Sequence, residues 1–179
     1  ERLDTPVITL CTGTRDPENM WRRHRKNDSP EAWLDLVDCM REALKIAEEY
    51  RVTLAFEPEV SNVVDSAIKG RRLLDEMQSP YLKVVVDPAN IFHKGELPRM
   101  REILDEAFAL LGDDIAIAHA KDLDHDGEAG HKAAGKGLLD YDHYLELLGA
   151  VDPDAPLILH GLGEDQVDEC VAFLNRKMA

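Results

Sequence analysis

Five short runs of strand-forming residues, Val7–Cys11, Val52–Phe56, Leu82–Val86, Ile115–Ala120 and Leu157–Leu159, alternate with longer stretches of helical periodicity along the chain. The runs are apolar almost throughout rather than at every second residue. A strand with one wet face alternates, whereas a near-continuous apolar run needs cover on both faces, the condition of a parallel sheet flanked by helices. The repeated order of strand and helix therefore predicts an α/β fold.

The intervening stretches carry their own start and stop signals. Ser29 is placed as an N-cap, with Pro30 in the first helical position and Glu31 favourable to the helix dipole. An apolar face follows through Trp33, Leu36, Val37, Met40, Leu44 and Ala47. A second helix is predicted over Val63–Met77 with Asn62 as its cap, and a third over Pro98–Leu111, stopping at Gly112. A fourth runs from Tyr141 to Leu148–Gly149, and a last over Glu164–Lys177 buries Val167, Cys170, Val171 and Leu174. No linker or low-complexity segment interrupts the pattern, so residues 1–179 read as a single domain.

Glu57, Asp87, His119 and His160 each stand at or just beyond the end of an apolar run. An open doubly wound sheet gathers polar groups chiefly at one switch point. A closed barrel brings the C-terminal end of every strand to one shared mouth, and the repetition favours a parallel (β/α) barrel of the TIM type. Such a barrel closes with about eight units and about 250 residues. This sequence supplies about five βα units, so it is expected to be the C-terminal part of a barrel whose three N-terminal units lie outside it.

Carboxylate oxygens at a common mouth attract hard divalent cations, and imidazole nitrogens widen the choice of metal. Glu57, Asp87, His119 and His160 are the candidate ligands, with Mn, Mg, Zn or Co as the ion. The segments that carry them are "LAFEPE", "VVVDPAN" and "AHAKD". In these segments, and in the glycine-rich "AAGKGLLD" at residues 133–140, the chain resembles the xylose isomerase-like family of sugar phosphate isomerases and epimerases. The resemblance runs from about Pro6 to the C-terminus and is most specific at "DPAN" and "HAKD".

The resemblance implies a TIM barrel with one divalent ion held by Glu, Asp, His and a further Glu, the first three matching Glu57, Asp87 and His119. It implies a proton removed beside a metal-polarised carbonyl by one glutamate and returned on the opposite face by another. Glu57 fits the first role, and Lys121 fits stabilisation of the developing oxyanion. The last strand departs from the family, with His160 in "LILHGL" where a glutamate is usual. An imidazole can ligate a metal but does not replace a carboxylate base without a change of pKa and geometry. Asn90, Lys121, Asp122, His93 and His131 are the candidate substrate contacts, and Glu59 is placed either to orient the site or in solvent.

The expected activity is metal-dependent isomerisation or epimerisation of a sugar, sugar phosphate or related polyol. Three alternatives stay open: a lyase or dehydratase on an inosose or dehydroshikimate-type acid, a non-catalytic barrel with a retained ligand site, and a metallonuclease acting on abasic DNA. The net charge of −15 opposes the nuclease, because phosphates repel an acidic surface, and no nucleic-acid partner is expected. The sole basic cluster, Trp21–Lys26, is placed either against an anionic substrate group or in a solvated loop. The sequence contains no apolar run of the roughly 18 residues that span a bilayer. Three widely spaced cysteines, Cys11, Cys39 and Cys170, fit a reducing, cytoplasmic setting, the latter two as buried hydrophobes. A homo-oligomer is compatible with all of this. Residues Asp122–Gly127 open like a calcium loop, but the twelfth position is Ala133 rather than a bidentate glutamate.

Overall fold

In the computed structural model, which describes residues 5–179, the strands form one twisted parallel sheet with helices along one face. Strands β1 (Val7–Cys11), β2 (Thr53–Glu57), β3 (Leu82–Val86) and β4 (Ile115–Asp122) pair in that order. A two-residue strand, β5 (Lys132–Ala133), turns back antiparallel on the tip of β4, and β6 (Leu157–Leu159) lies parallel to β4 along Ala118–Ala120. Helices α1 (Pro30–Tyr50), α2 (Ala67–Met77), α3 (Met100–Leu111), α4 (Tyr141–Val151) and α5 (Val167–Lys177) connect and cover them. The architecture is a partial parallel (β/α) barrel, as the strand pattern predicts.

Strand parity divides the residues between two environments, because successive side chains point to opposite faces. Phe56, Val84, Val86, Ala118 and Ala120 face the helices and join Leu44, Leu73, Leu104, Phe108 and Tyr144 in the main core. Ala55, Val85 and Ile117 face the other way and form a small separate apolar cluster. One step further along each strand on this second face stand Glu57, Asp87 and His119. The register matches Cys11 with Glu57 and His119 with Ile158, which sets His160 on the same face two residues later. The inner face thus changes from apolar to polar at one level, and this level is the mouth.

Helix α1 starts as its sequence specifies: the Ser29 hydroxyl accepts from the Ala32 amide at 3.2 Å, with Pro30 in the first turn. Helix α2 is shorter than its apolar pattern predicts. It begins at Ala67 with Ser66, not Asn62, as cap. Residues 58–66 form a loop instead, held by long-range bonds such as Val63 N to Gly13 O and Val64 N to the Thr12 hydroxyl. These tertiary partners satisfy the backbone where a first helical turn was expected. Helix α5 buries Cys170 and Leu174, but Val167 and Val171 are 37% and 42% exposed. Cys39, expected inside, is exposed, as is Cys11. Among the described residues no helix is long and apolar enough to cross a membrane.

Candidate functional site

The strand ends bring Glu57, Asp87, His119, Lys121 and His160 together, and Asp87 is their hub. One of its carboxylate oxygens, Oδ2, lies 3.0 Å from Lys121 Nζ, 3.3 Å from His119 Nδ1 and 3.6 Å from His160 Nδ1. Its other oxygen accepts from the Ala89 amide at 3.1 Å, capping the short 3₁₀ turn Pro88–Asn90. Glu57 Oε2 approaches the same His119 nitrogen at 3.6 Å. The His119 and His160 rings stack with centroids 4.5 Å apart.

Burial raises the cost of both charged carboxylates, with opposite results. Glu57 is pushed above the usual carboxylate range by burial and by the neighbouring charge of Asp87, against the opposing pull of His119, Lys121 and Asn90. Asp87 is the more deeply buried, yet the hydrogen bonds from His119 and His160 and the Lys121 charge outweigh its desolvation and hold it well below that range. The pair therefore separates into a permanent anion and a more basic carboxyl, the pattern of acid–base sites.

A layer of further contacts fixes these groups. The Asn90 amide donates through Nδ2 to Glu57 and accepts through Oδ1 from the Gly130 amide at 2.9 Å. Tyr144 and Tyr141 donate to the backbone carbonyls of His119 and Lys121 at 3.0 and 2.9 Å. Gly161, with φ +68°, lies against the stem of Lys121, where a Cβ would come within 2.8 Å of Cδ. Neither tyrosine nor Gly130 stood out in the sequence; the apolar face of α4 conceals two hydroxyls aimed at β4.

Other expected contacts go elsewhere. Asp122 is on the helix-facing side of β4, 1% exposed, and its carboxylate accepts from four backbone amides, those of Leu123, Gly135, Gly137 and Leu139. It anchors the glycine-rich loop in place of reaching the mouth. His93 stands 3.9 Å from Asp65 and His131 3.3 Å from Asp124, both in loops beyond the strands and outside the Asp87 cluster. Glu59 is buried and turned to its own loop, accepting from the Ser61 amide and the Asn62 side chain. Two cations of the basic cluster are taken up by neighbouring carboxylates: Arg22 pairs with Asp16 and Glu18, and Arg23 with Asp28 and Asp65. Although Cys11 is exposed at the surface of the described chain, partial desolvation of its thiol and the charges of Glu57 and Glu59 push it above the usual thiol range.

Asp87, His119 and His160 offer one ligand atom each, all within 4.8 Å of one another. Ligand atoms about 2.1 Å from one ion are separated by about 3–4 Å, so the observed spacings need only small adjustments, and two imidazoles with carboxylate suit a divalent transition metal. Lys121 occupies one lone-pair direction of Asp87 and leaves others open. The residues present fit a metal ion, with Glu57 adjacent as a fourth donor.

The sequence matches the family described as the xylose isomerase-like TIM barrel over residues 1–177. No curated protein sequence matches the chain. Crystal structures share its fold. A D-tagatose 3-epimerase-like protein is 17% identical, with 99% of this chain and 66% of that chain aligned at a TM-score of 0.68. The probable 3-DHS dehydratase AsbF from Bacillus anthracis is 17% identical over 96% and 62% of the two chains, at 0.71. The IolI protein with a bound zinc is 19% identical over 96% and 60%, at 0.63. At such identities the likeness is one of fold, and the chain spans about three fifths of the length of these proteins.

Proposed function

We propose, since the chain belongs to the xylose isomerase-like TIM-barrel family, that it supplies the catalytic face of a metal-dependent isomerase or epimerase for a small sugar, sugar phosphate or polyol. Residues 1–179 are read as one domain forming the C-terminal five βα units of an eight-unit barrel. The observation behind this reading is the convergence of a raised carboxyl, Glu57, with a permanent anion, Asp87, two imidazoles and the buried ammonium of Lys121.

Asp87, His119, His160 and Glu57 would hold the ion, which when bound polarises a substrate carbonyl. Glu57, with its carboxylate oriented by Asn90, takes the proton from the adjacent carbon. Lys121 Nζ donates to the oxygen on which charge develops, and its burial strengthens that interaction. The zinc bound by the IolI protein, which shares this fold, supports a metal-dependent reading. The test is Glu57→Gln, which keeps the size and the Asn90 contact partner but removes the base. It is expected to reduce solvent-deuterium exchange into a keto-sugar substrate by about 100-fold or more. Exchange at the wild-type rate would remove Glu57 from the mechanism, and a folded, metal-loaded wild type that exchanges no substrate would leave a binding barrel.

A second reading, lyase or dehydratase, is favoured by His160. Epimerisation needs a base on each face of the substrate, whereas water loss needs one base and one acid to protonate the leaving hydroxyl. In this reading Asp87, His119 and Glu57 would hold the ion, and His160, a half-exposed imidazole at the mouth, is left free to be that acid. Product analysis for water loss beside exchange separates the two.

A further inference from the structure

We propose that Asp124, His125 and His131 form a second site for a divalent transition-metal ion, on the hairpin that joins β4 to β5. Each offers one ligand atom, and the three atoms lie within 4.8 Å of one another. His131 Nε2 is 3.3 Å from Asp124 Oδ1, about the ligand–ligand edge of a tetrahedron with bonds of ~2.0 Å. His125 Nδ1 shares that same oxygen at 2.5 Å through a hydrogen bond, which opens to ligand spacing when a cation replaces the shared proton. Glu128 Oε2 stands 3.8 Å from the other nitrogen of His125.

The hairpin holds these groups in place without the ion. Pairing of Asp122 with Lys132 carries Leu123 to a place opposite His131, so residues 124 and 125 follow just beyond on the first arm and the ligands come from both arms. The loop between is tied down by Gly127 N to Phe92 O at 2.9 Å and by Asp126 Oδ2 accepting from the Leu97 amide at 2.9 Å. Lys132 Nζ takes Asp124 Oδ2 at 2.9 Å, which leaves Oδ1 turned to the imidazoles. Two imidazoles and one carboxylate select Zn, Co, Ni or Cu over Mg and Ca, which prefer oxygen throughout. The calcium reading of this loop fails separately, because Ala133 at its twelfth position is a buried strand residue.

An ion here would clamp the two arms of the hairpin. Gly130 of the same loop donates to Asn90, and Asn90 donates to Glu57, so the clamp reaches the candidate base through two hydrogen bonds. The site is separate from the Asp87 cluster, and its test is read separately. Zinc is titrated calorimetrically into the full chain as wild type, Asp87→Asn, His125→Gln, His131→Gln and the Asp87→Asn/His131→Gln double variant. The side chains of His125 and His131 are 51% and 49% exposed, so their replacement leaves the core intact. The expected result is that Asp87→Asn retains a zinc site, that each histidine variant loses this site, and that the double variant binds none. A double variant that binds zinc as tightly as Asp87→Asn alone would overturn the proposal, as would an Asp87→Asn protein that is folded and binds none. If Asp87→Asn does not fold, an unchanged stoichiometry between wild type and both histidine variants overturns it equally, and the loss of one equivalent supports it.

Discussion

Asp122→Asn separates a structural anchor from a substrate contact, the role the sequence alone assigns to this residue. Oδ1 of Asp122 accepts from Leu123 N at 2.8 Å and Leu139 N at 2.9 Å, and Oδ2 from Gly135 N at 3.1 Å and Gly137 N at 2.9 Å. The asparagine amide keeps one acceptor oxygen and turns an NH₂ group on the remaining donors, so at least two of these four bonds are lost. A hydrogen bond to a charged acceptor contributes about 1.5–3 kcal/mol net, which places the loss at ~3–6 kcal/mol. That is a large share of the ~5–15 kcal/mol that holds a typical domain folded. Urea unfolding reads the loss as a lower midpoint, and hydrogen exchange locates it in residues 135–139. A destabilisation under about 1 kcal/mol, with those amides as protected as in wild type, would refute the anchoring argument. Lost substrate affinity in such a stable variant would return Asp122 to the mouth.

Gly161→Ala is expected to lower turnover while sparing the fold, because its Cβ would lie 2.8 Å from Lys121 Cδ at a backbone φ of +68°; a crystal structure and substrate kinetics of the variant check both halves. Tyr144→Phe removes the 3.0 Å bond to the His119 carbonyl in a fully buried setting and is expected to cost about 1–3 kcal/mol in thermal or urea unfolding. Asp114 is desolvated, yet hydrogen bonds from Lys83 and Arg71 more than compensate and hold its carboxyl below the usual range. With a folded value below the unfolded one of about 3.9, its contribution is present above about pH 4 and is lost as pH falls through the folded value. Urea midpoints of Asp114→Asn should therefore fall below wild type at neutral pH and converge with it in acid; parallel curves would contradict the assignment.

All five predicted strands were legible to within a residue or two because each apolar run ends abruptly on a polar group, and the mouth cluster follows from those endings. Parity sharpens the reading in a way that motif matching does not. His119 and Lys121 share a face of β4, so Asp122 between the faces must point to the helices, and "HAKD" as a motif hides that distinction. The start of α2 was misread because Val63 and Val64 have helical spacing, while their backbone partners, Gly13 and Thr12, are about fifty residues away in sequence. Local pattern carries no record of such contacts. The same holds for Asp122, whose donors Gly135, Gly137 and Leu139 arrive by a return of the chain. The two-residue strand β5 is too short to leave a periodic signal at all. Exposure of Val167 and Val171 shows that an apolar helix stripe states a capacity for burial, which needs a partner surface to be used.

The three contacts on Asp87 Oδ2 arrange the mouth as a star rather than a chain. Strands β3, β4 and the residue following β6 meet at a single atom, and no cationic or imidazole group in the cluster reaches another except through it or by ring stacking. Whatever occupies that atom sets the position of all three spokes at once. Lys121 takes one lone-pair direction of that carboxylate, so a metal ion would bind beside the ammonium rather than in its place. Such wiring ties the mouth together as one unit: a change at the centre is felt on every side, and the links that bypass it are the His119–His160 stack and the approach of Glu57 to His119.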